Sequence, residues 1–260
     1  MKILITNNAT HPLPAKNYGG TERVIWYLGK ELAKMGHEVC YLAAKGSVCD
    51  FGRVIPMNGD LPVEDQIPAG FDIVHFNAPL KKPVDIPHIV TIHGNSKRPN
   101  TFDRNSVFVS RDHARRHHSE CFVYNGMDWD DYGKPKLDNA RSYYHFLGKA
   151  SWPVKTVQGA IDVVKALPGA RLYVLGGARF TLNKGIRFTL TPKARFCGMV
   201  GGEEKLRYLQ GSKGLIFPVK WQEPFGLAMT ESLYFGAPVF GTPYGALPEL
   251  ITPEVGYLTD

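Results

Sequence analysis

Residues 2–43 read KILITNNATHPLPAKNYGGTERVIWYLGKELAKMGHEVCYLA. The first five, Lys2 to Thr6, are a short apolar run, and Val24, Ile25, Leu28, Leu32 and Met35 fall at helical spacing behind a long loop. Gly36 stands where a helix ending in a left-handed cap wants a glycine, and residues 38–43 (EVCYLA) supply a second apolar run. Strand, helix, strand in that order predicts a β-α-β unit whose two strands run parallel.

Outward from this unit the rhythm continues. Residues 73–76, 89–92, 107–109 and 122–124 are short apolar runs between turn residues, as buried parallel strands should be, and complete a first sheet. Residues 128–142 (DWDDYGKPKLDNARS) are polar, contain Gly and Pro and follow neither period, which places a boundary there. A second series follows: strands at 143–147, 171–175, 215–217 and 238–240, with helices at 154–167, 203–210 and 226–235. A chain of 260 residues can bury two modest cores. The predicted organisation is a first domain over 1–130, a linker over 131–142 and a second domain over 143–260, with a cleft between the two.

Hydrophobic residues make up 43% and charged residues 21%, an ordinary globular balance. The net charge of +7 favours an anionic partner. The basic residues are spread along the chain without a helix-turn-helix, zinc-finger or aromatic RNA-binding pattern, so nucleic acid is set aside. Cys40, Cys49, Cys121 and Cys197 lack metal or redox spacing and read as reduced cytosolic thiols. The first residues run straight into a strand with no leader pattern, and no apolar stretch nears the ~18 residues of a membrane span. His113, His117 and His118 lie among arginines as on a solvated helix face, and Asp128, Asp130 and Asp131 lack the rest of a calcium loop; none is given a role and no metal is expected.

The chemistry concentrates in residues 221–241, WQEPFGLAMTESLYFGAPVFG. Glu223 precedes the predicted helix and Glu231 sits on its second turn. Pro224, Phe225, Gly226 and Leu227 lie at the helix start, where unpaired backbone N–H groups and the helix dipole favour a phosphate or a sugar hydroxyl. A carboxylate on the second turn can accept two vicinal hydroxyls such as a ribose offers; one ahead of the helix can bind sugar hydroxyls or support developing positive charge. Taken as an isolated pair, the two read more readily as a helix-start charge and a solvated surface charge.

EPFGLAMTE followed by GAPV resembles the donor-binding signature of family 4 glycosyltransferases. The resemblance extends in order through YGGTERV, FDIVHFN, TIHG, VYNGMD and GALPELITPEVGYLTD, nearly the whole chain. It implies an α/β GT-B fold: two Rossmann-like domains with parallel sheets facing across a cleft, the first on the acceptor side and the second binding the donor. It also implies sugar transfer with retention of configuration, from a nucleotide-diphosphate sugar (a UDP or GDP sugar) to an acceptor hydroxyl, without a bound metal or other cofactor.

Carried over by position, the resemblance makes Glu223 and His93 the catalytic residues, with Glu223 on the transferred sugar and His93 near it. Glu231 would hold the donor ribose, and Phe225, Gly226 and Leu227 would meet sugar and phosphates. Lys149 and Lys155, in FLGKASWPVKT, would neutralise the diphosphate. Lys149 stands where the family usually has Arg, keeping the charge but not the planar fork. Gly19 and Gly20 would let backbone approach the donor phosphate or the acceptor; their spacing is not the dinucleotide fingerprint, which disfavours a nicotinamide enzyme. Asn125 and Gly126 match a family turn and equally suit a plain Asn-Gly turn.

Family members usually continue past the GYLTD-like segment, so the chain looks shortened at its C-terminus, and a protein partner completing the second domain is one expectation. The function expected is a hexosyltransferase of glycan, polysaccharide or glycolipid biosynthesis with a saccharide or lipid-linked acceptor. It would be cytoplasmic, with peripheral contact at the inner membrane face where the acceptor is lipid-linked. The alternatives are a nucleotide-sugar-binding subunit with little activity of its own and a GT-B-like sugar-nucleotide epimerase.

Overall fold

A computed structural model of the chain describes residues 1–17, 19–96, 102–182 and 187–260; Tyr18, the first residue of YGGTERV, lies outside them. The chain divides into Met1–Asp128 and Trp129–Asp260.

The first unit runs β1 (Lys2–Thr6), α1 (Gly20–Lys34), β2 (Glu38–Ala43), β3 (Arg53–Pro56), β4 (Ile73–Phe76), β5 (His88–Ile92), β6 (Ser106–Phe108) and α2 (Arg111–Arg116). Its strands form one parallel sheet in the order β3-β2-β1-β4-β5-β6, the doubly wound order. Successive residues of β1 explain why both faces are covered: Ile3 and Ile5 pack with Ile25 of α1 and Tyr41, whereas Leu4 packs with Val74, Phe76 and Val90. A strand buried on both sides must be apolar at every position, which is why KILIT shows no alternation.

The second unit repeats the plan: β7 (Tyr143–Leu147), α3 (Val157–Ala166), β8 (Leu172–Leu175), β9 (Phe180–Thr181), β10 (Arg187–Phe188), β11 (Ala194–Phe196), α4 (Gly202–Gln210), β12 (Ser212–Phe217), α5 (Leu227–Tyr234), β13 (Val239–Gly241), α6 (Leu247–Leu250) and β14 (Gly256–Leu258). Its parallel sheet has the order β11-β8-β7-β12-β13-β14, the same winding as the first once the antiparallel β9–β10 ribbon is set aside. Ile216 packs into one core with Phe146, Ile161 and Val174; Leu215 and Phe217 face the other, with Met229 of α5, Val239 and Leu247.

Four local expectations change. Residues 122–124 do not form a strand: Phe122 makes a single bridge to Phe108, while Val123 and Tyr124 are exposed. The helix expected from Val154 begins as a tight turn at Pro153–Lys155, breaks at Thr156 with φ 52, and becomes α-helical from Val157. The histidines expected on a solvated face are partly interior: His113 is fully buried, edge-on to the Phe108 ring at 5.1 Å, and His117 stacks on that ring. The short α2 turns this side over β6, where an imidazole serves as an aromatic filler. Asp128, given no role from the sequence, has an almost fully buried carboxylate that pairs with Lys30 of α1 at 2.7 Å.

Candidate functional site

In the second unit, β12 ends at Phe217 and the chain loops through residues 218–226 into α5. Sites in doubly wound sheets form beyond the carboxyl ends of strands, and this loop occupies that position. Glu223 is nearly buried; its Oε2 accepts from Lys155 Nζ at 2.5 Å and from the Trp221 indole N–H at 2.8 Å. Lys155 also lies over the rings of Trp221, at 4.6 Å, and Phe217, at 5.4 Å. The backbone joins the same pieces: Lys220 N–H donates to Val154 O at 2.8 Å, fixing the loop to the turn that carries Lys155. A buried carboxylate needs such a partner, because leaving water uncompensated costs several kcal/mol.

Two glycines shape this loop. Gly226 precedes α5 with φ 99, a conformation that L side chains rarely adopt, and it turns the chain so that Leu227 opens the helix. At Gly245 the close approach is backbone to backbone: a Cβ there would stand 2.3 Å from both Glu223 N and Glu223 O. Ala246 N–H donates to Glu223 O at 2.9 Å, and Gly245 N–H to Gln222 Oε1 at 2.7 Å. The segment 245–246 therefore fixes where the Glu223 backbone sits.

Glu231 is also buried, on α5. Its Oε1 accepts from Tyr132 O–H and Lys205 Nζ, each at 2.5 Å, and Lys205 lies 5.0 Å from the centre of the Tyr132 ring. Phe225 is buried between the two carboxylates in sequence, and Leu227 is the first residue of α5. Lys149 stands 5.3 Å over the Trp152 ring, just past the end of β7. Among the described residues the second unit thus holds two buried lysine–carboxylate pairs, one on each side of the α5 start in sequence.

The remaining expected residues belong to the first unit. Gly19, with φ 148, caps α1, and Gly20 is its first residue; a Cβ on Gly19 would lie 2.9 Å from Glu22 Oε2. Glu22 is buried and accepts from Asn8 Nδ2 at 2.9 Å. His93 follows β5. Its protonation follows from its neighbours: Asn77 Nδ2 donates to Thr6 O at 2.9 Å, so Asn77 Oδ1 is turned to His93 Nε2, 2.8 Å away. An amide oxygen only accepts, hence Nε2 carries the proton and Nδ1 is left as the acceptor. Burial, with His75 adding to it, lowers the His93 pKa to about 4, which keeps the ring neutral near pH 7. Asn125 and Gly126 lie in irregular backbone near the end of this unit.

Tyr132, Lys205, Trp221, Asn77 and Glu22 were not singled out by sequence. A signal existed for Lys205: with Leu209 one turn on, it lies on the inward stripe of α4, an unusual place for an ammonium group. Among the described residues no group of three or more His, Cys, Asp or Glu side chains could hold a metal ion, and no helix is long and apolar enough to cross a membrane.

The sequence model of the family described as "Glycosyl transferases group 1" matches residues 141–260. No curated protein matches the chain. Among solved structures, AviGT4, a glycosyltransferase involved in avilamycin A biosynthesis, is similar at 22% identity over 100% of this chain and 83% of that one, with TM-score 0.78. A sucrose-phosphate synthase from Thermosynechococcus elongatus is similar at 16% identity over 99% and 85%, with TM-score 0.74. Anabaena HepE in complex with UDP-glucose is similar at 17% identity over 100% and 85%, with TM-score 0.71. The chain has the GT-B fold of two Rossmann-like units, and its second unit carries the match to the group 1 glycosyl transferases.

Proposed function

We propose that the protein is a retaining glycosyltransferase that moves a sugar from a nucleotide-diphosphate donor to an acceptor hydroxyl. The observation that carries the reading is the pair of buried carboxylates, Glu223 and Glu231, flanking the left-handed Gly226 turn at the start of α5 and each matched to a lysine. Such a surface combines hydroxyl acceptors, cations and the positive end of a helix, the three things a sugar diphosphate requires.

In this reading Glu231 accepts from the donor ribose, and Glu223 meets the transferred sugar. The N–H groups at Phe225, Gly226 and Leu227 face sugar and phosphate, and Lys149 and Lys155 neutralise the diphosphate as its charge grows. Neutral His93 takes a sugar hydroxyl on Nδ1, and the Gly19–Gly20 loop admits phosphate or acceptor. The acceptor hydroxyl attacks from the face the diphosphate leaves, and the leaving phosphate oxygen receives the proton. Trapping a covalent sugar on Glu223 would overturn that last step in favour of double displacement. The net charge of +7 suits an anionic donor and, for a lipid-linked acceptor, peripheral contact with an acidic cytoplasmic membrane face.

Thermal-shift and calorimetric titration of UDP, GDP and ADP sugars against the wild type and Glu231→Ala tests the reading. One nucleotide class should stabilise the wild type by mass action and lose its effect in the variant. A wild type that responds to no donor sinks it.

A further inference from the structure

Glu231 and Lys205 carry opposite charges with side chains each only 7% exposed. Two ions taken out of water this completely recover little net stability, and well-packed apolar residues in their place are often as stable or more so. Packing between α4 and α5 therefore gives no reason for the pair. Its hydrogen bonding is also one-sided: Tyr132 O–H and Lys205 Nζ both donate to Oε1, and among the described residues Oε2 accepts nothing. A carboxylate left to rotate presents either oxygen; one pinned twice through a single oxygen presents the other in a fixed orientation.

Tyr132 is itself secured. It belongs to a turn at Trp129–Tyr132, where Trp129 stacks on Tyr234 of α5 at 4.4 Å and Tyr234 O–H donates to Gly133 O at 2.7 Å. This tyrosine reaches Glu231 across 99 positions of sequence, and Lys205 reaches it from α4. Two separate elements thus converge on one carboxylate oxygen of a third.

We infer that Tyr132 and Lys205 are positioning residues that set Glu231 Oε2 to accept the ribose hydroxyls of a nucleoside diphosphate, and so make the protein discriminate ribose from deoxyribose. The inference rests on the donor-site reading of Glu231. It adds two residues that need not touch the ligand, and a selectivity they control.

The test is calorimetric affinity of the wild type, Tyr132→Phe, Lys205→Met, Lys205→Arg and Glu231→Ala for UDP, GDP and ADP, and for the 2′-deoxy and 3′-deoxy forms of whichever binds. The wild type should favour the ribonucleotide by roughly tenfold or more, the scale of a hydrogen bond to a charged group. Tyr132→Phe and Lys205→Met should weaken the ribonucleotide while leaving the deoxy forms unchanged, taking the ratio toward one; Lys205→Arg should retain part of it. An equal loss for ribo and deoxy ligands, or an unchanged ratio in both variants while Glu231→Ala abolishes it, overturns the inference and leaves the donor site standing. If Glu231→Ala keeps the wild-type ratio, or no nucleotide binds the wild type, the donor-site reading fails and the inference with it. Melting temperatures recorded alongside identify a variant that has not folded; should that be Lys205→Met, the conservative Tyr132→Phe and Lys205→Arg carry the comparison.

Discussion

Lys155 is held by a carboxylate and by two aromatic faces, so truncating it strands Glu223 in a nearly water-free setting. Lys155→Met should lower unfolding stability in urea by about 3 kcal/mol, whereas Lys155→Met combined with Glu223→Gln should lose much less, because no charge is then left alone. Equal losses in the single and double variants would show that the pair contributes through packing. At Gly226 and Gly245 the backbone sets the outcome. Gly226→Ala incurs a left-handed alanine, about 1–2 kcal/mol, but the nearest atom its methyl meets is the terminal methyl of the unbranched Met229 side chain. Gly245→Ala drives a methyl into the Glu223 backbone and should remove nucleotide affinity at a temperature where the protein is still folded. Side-by-side calorimetry on the two variants checks the order.

At the scale of elements, α2 packs His113 against β6, and burial, together with Arg116 and His117, lowers its pKa to about 3. An unfolded histidine titrates at about 6.5, so below that pH the unfolded chain binds a proton that the folded chain refuses. This contribution to stability is whole above ~6.5 and is lost as pH falls toward 3. The melting temperature should therefore decline through that window, and His113→Leu should make the decline shallower; an identical slope in the variant would assign the acid sensitivity elsewhere. Which elements sequence reveals follows the same physics. The inner strands β1, β4, β7, β8 and β12 are covered on both faces and stand out as apolar runs, whereas β3, β11 and β14 close the sheets at their edges, are half-exposed and escaped notice. Glu223, Glu231 and Lys155 were legible because the α5 loop and the turn before α3 are contiguous motifs. Tyr132 and Lys205 were not, since their meeting with Glu231 depends on how three distant segments fold together.

Considered as a whole molecule, the two units share one winding order and keep separate cores, so ligand effects should be unevenly distributed. Amide hydrogen exchange with and without the stabilising nucleotide should show added protection concentrated in 149–157 and 223–234, with β1 to β3 little changed. Protection confined to residues 1–128 would move the nucleotide site to the other unit. The net charge of +7 adds an ionic-strength dependence: affinity should weaken as salt rises, and more steeply for a nucleoside diphosphate than for the nucleoside.

The indole of Trp221 donates to the same Glu223 oxygen that holds Lys155, beneath the ammonium group itself. Indole emission responds to nearby charge, so any event that draws Lys155 toward a phosphate alters the light this residue gives out. With Trp26, Trp129 and Trp152, the other three of four tryptophans, replaced by phenylalanine, the loop would signal its own occupancy. The protein carries its optical probe at the place where the chemistry is proposed to occur.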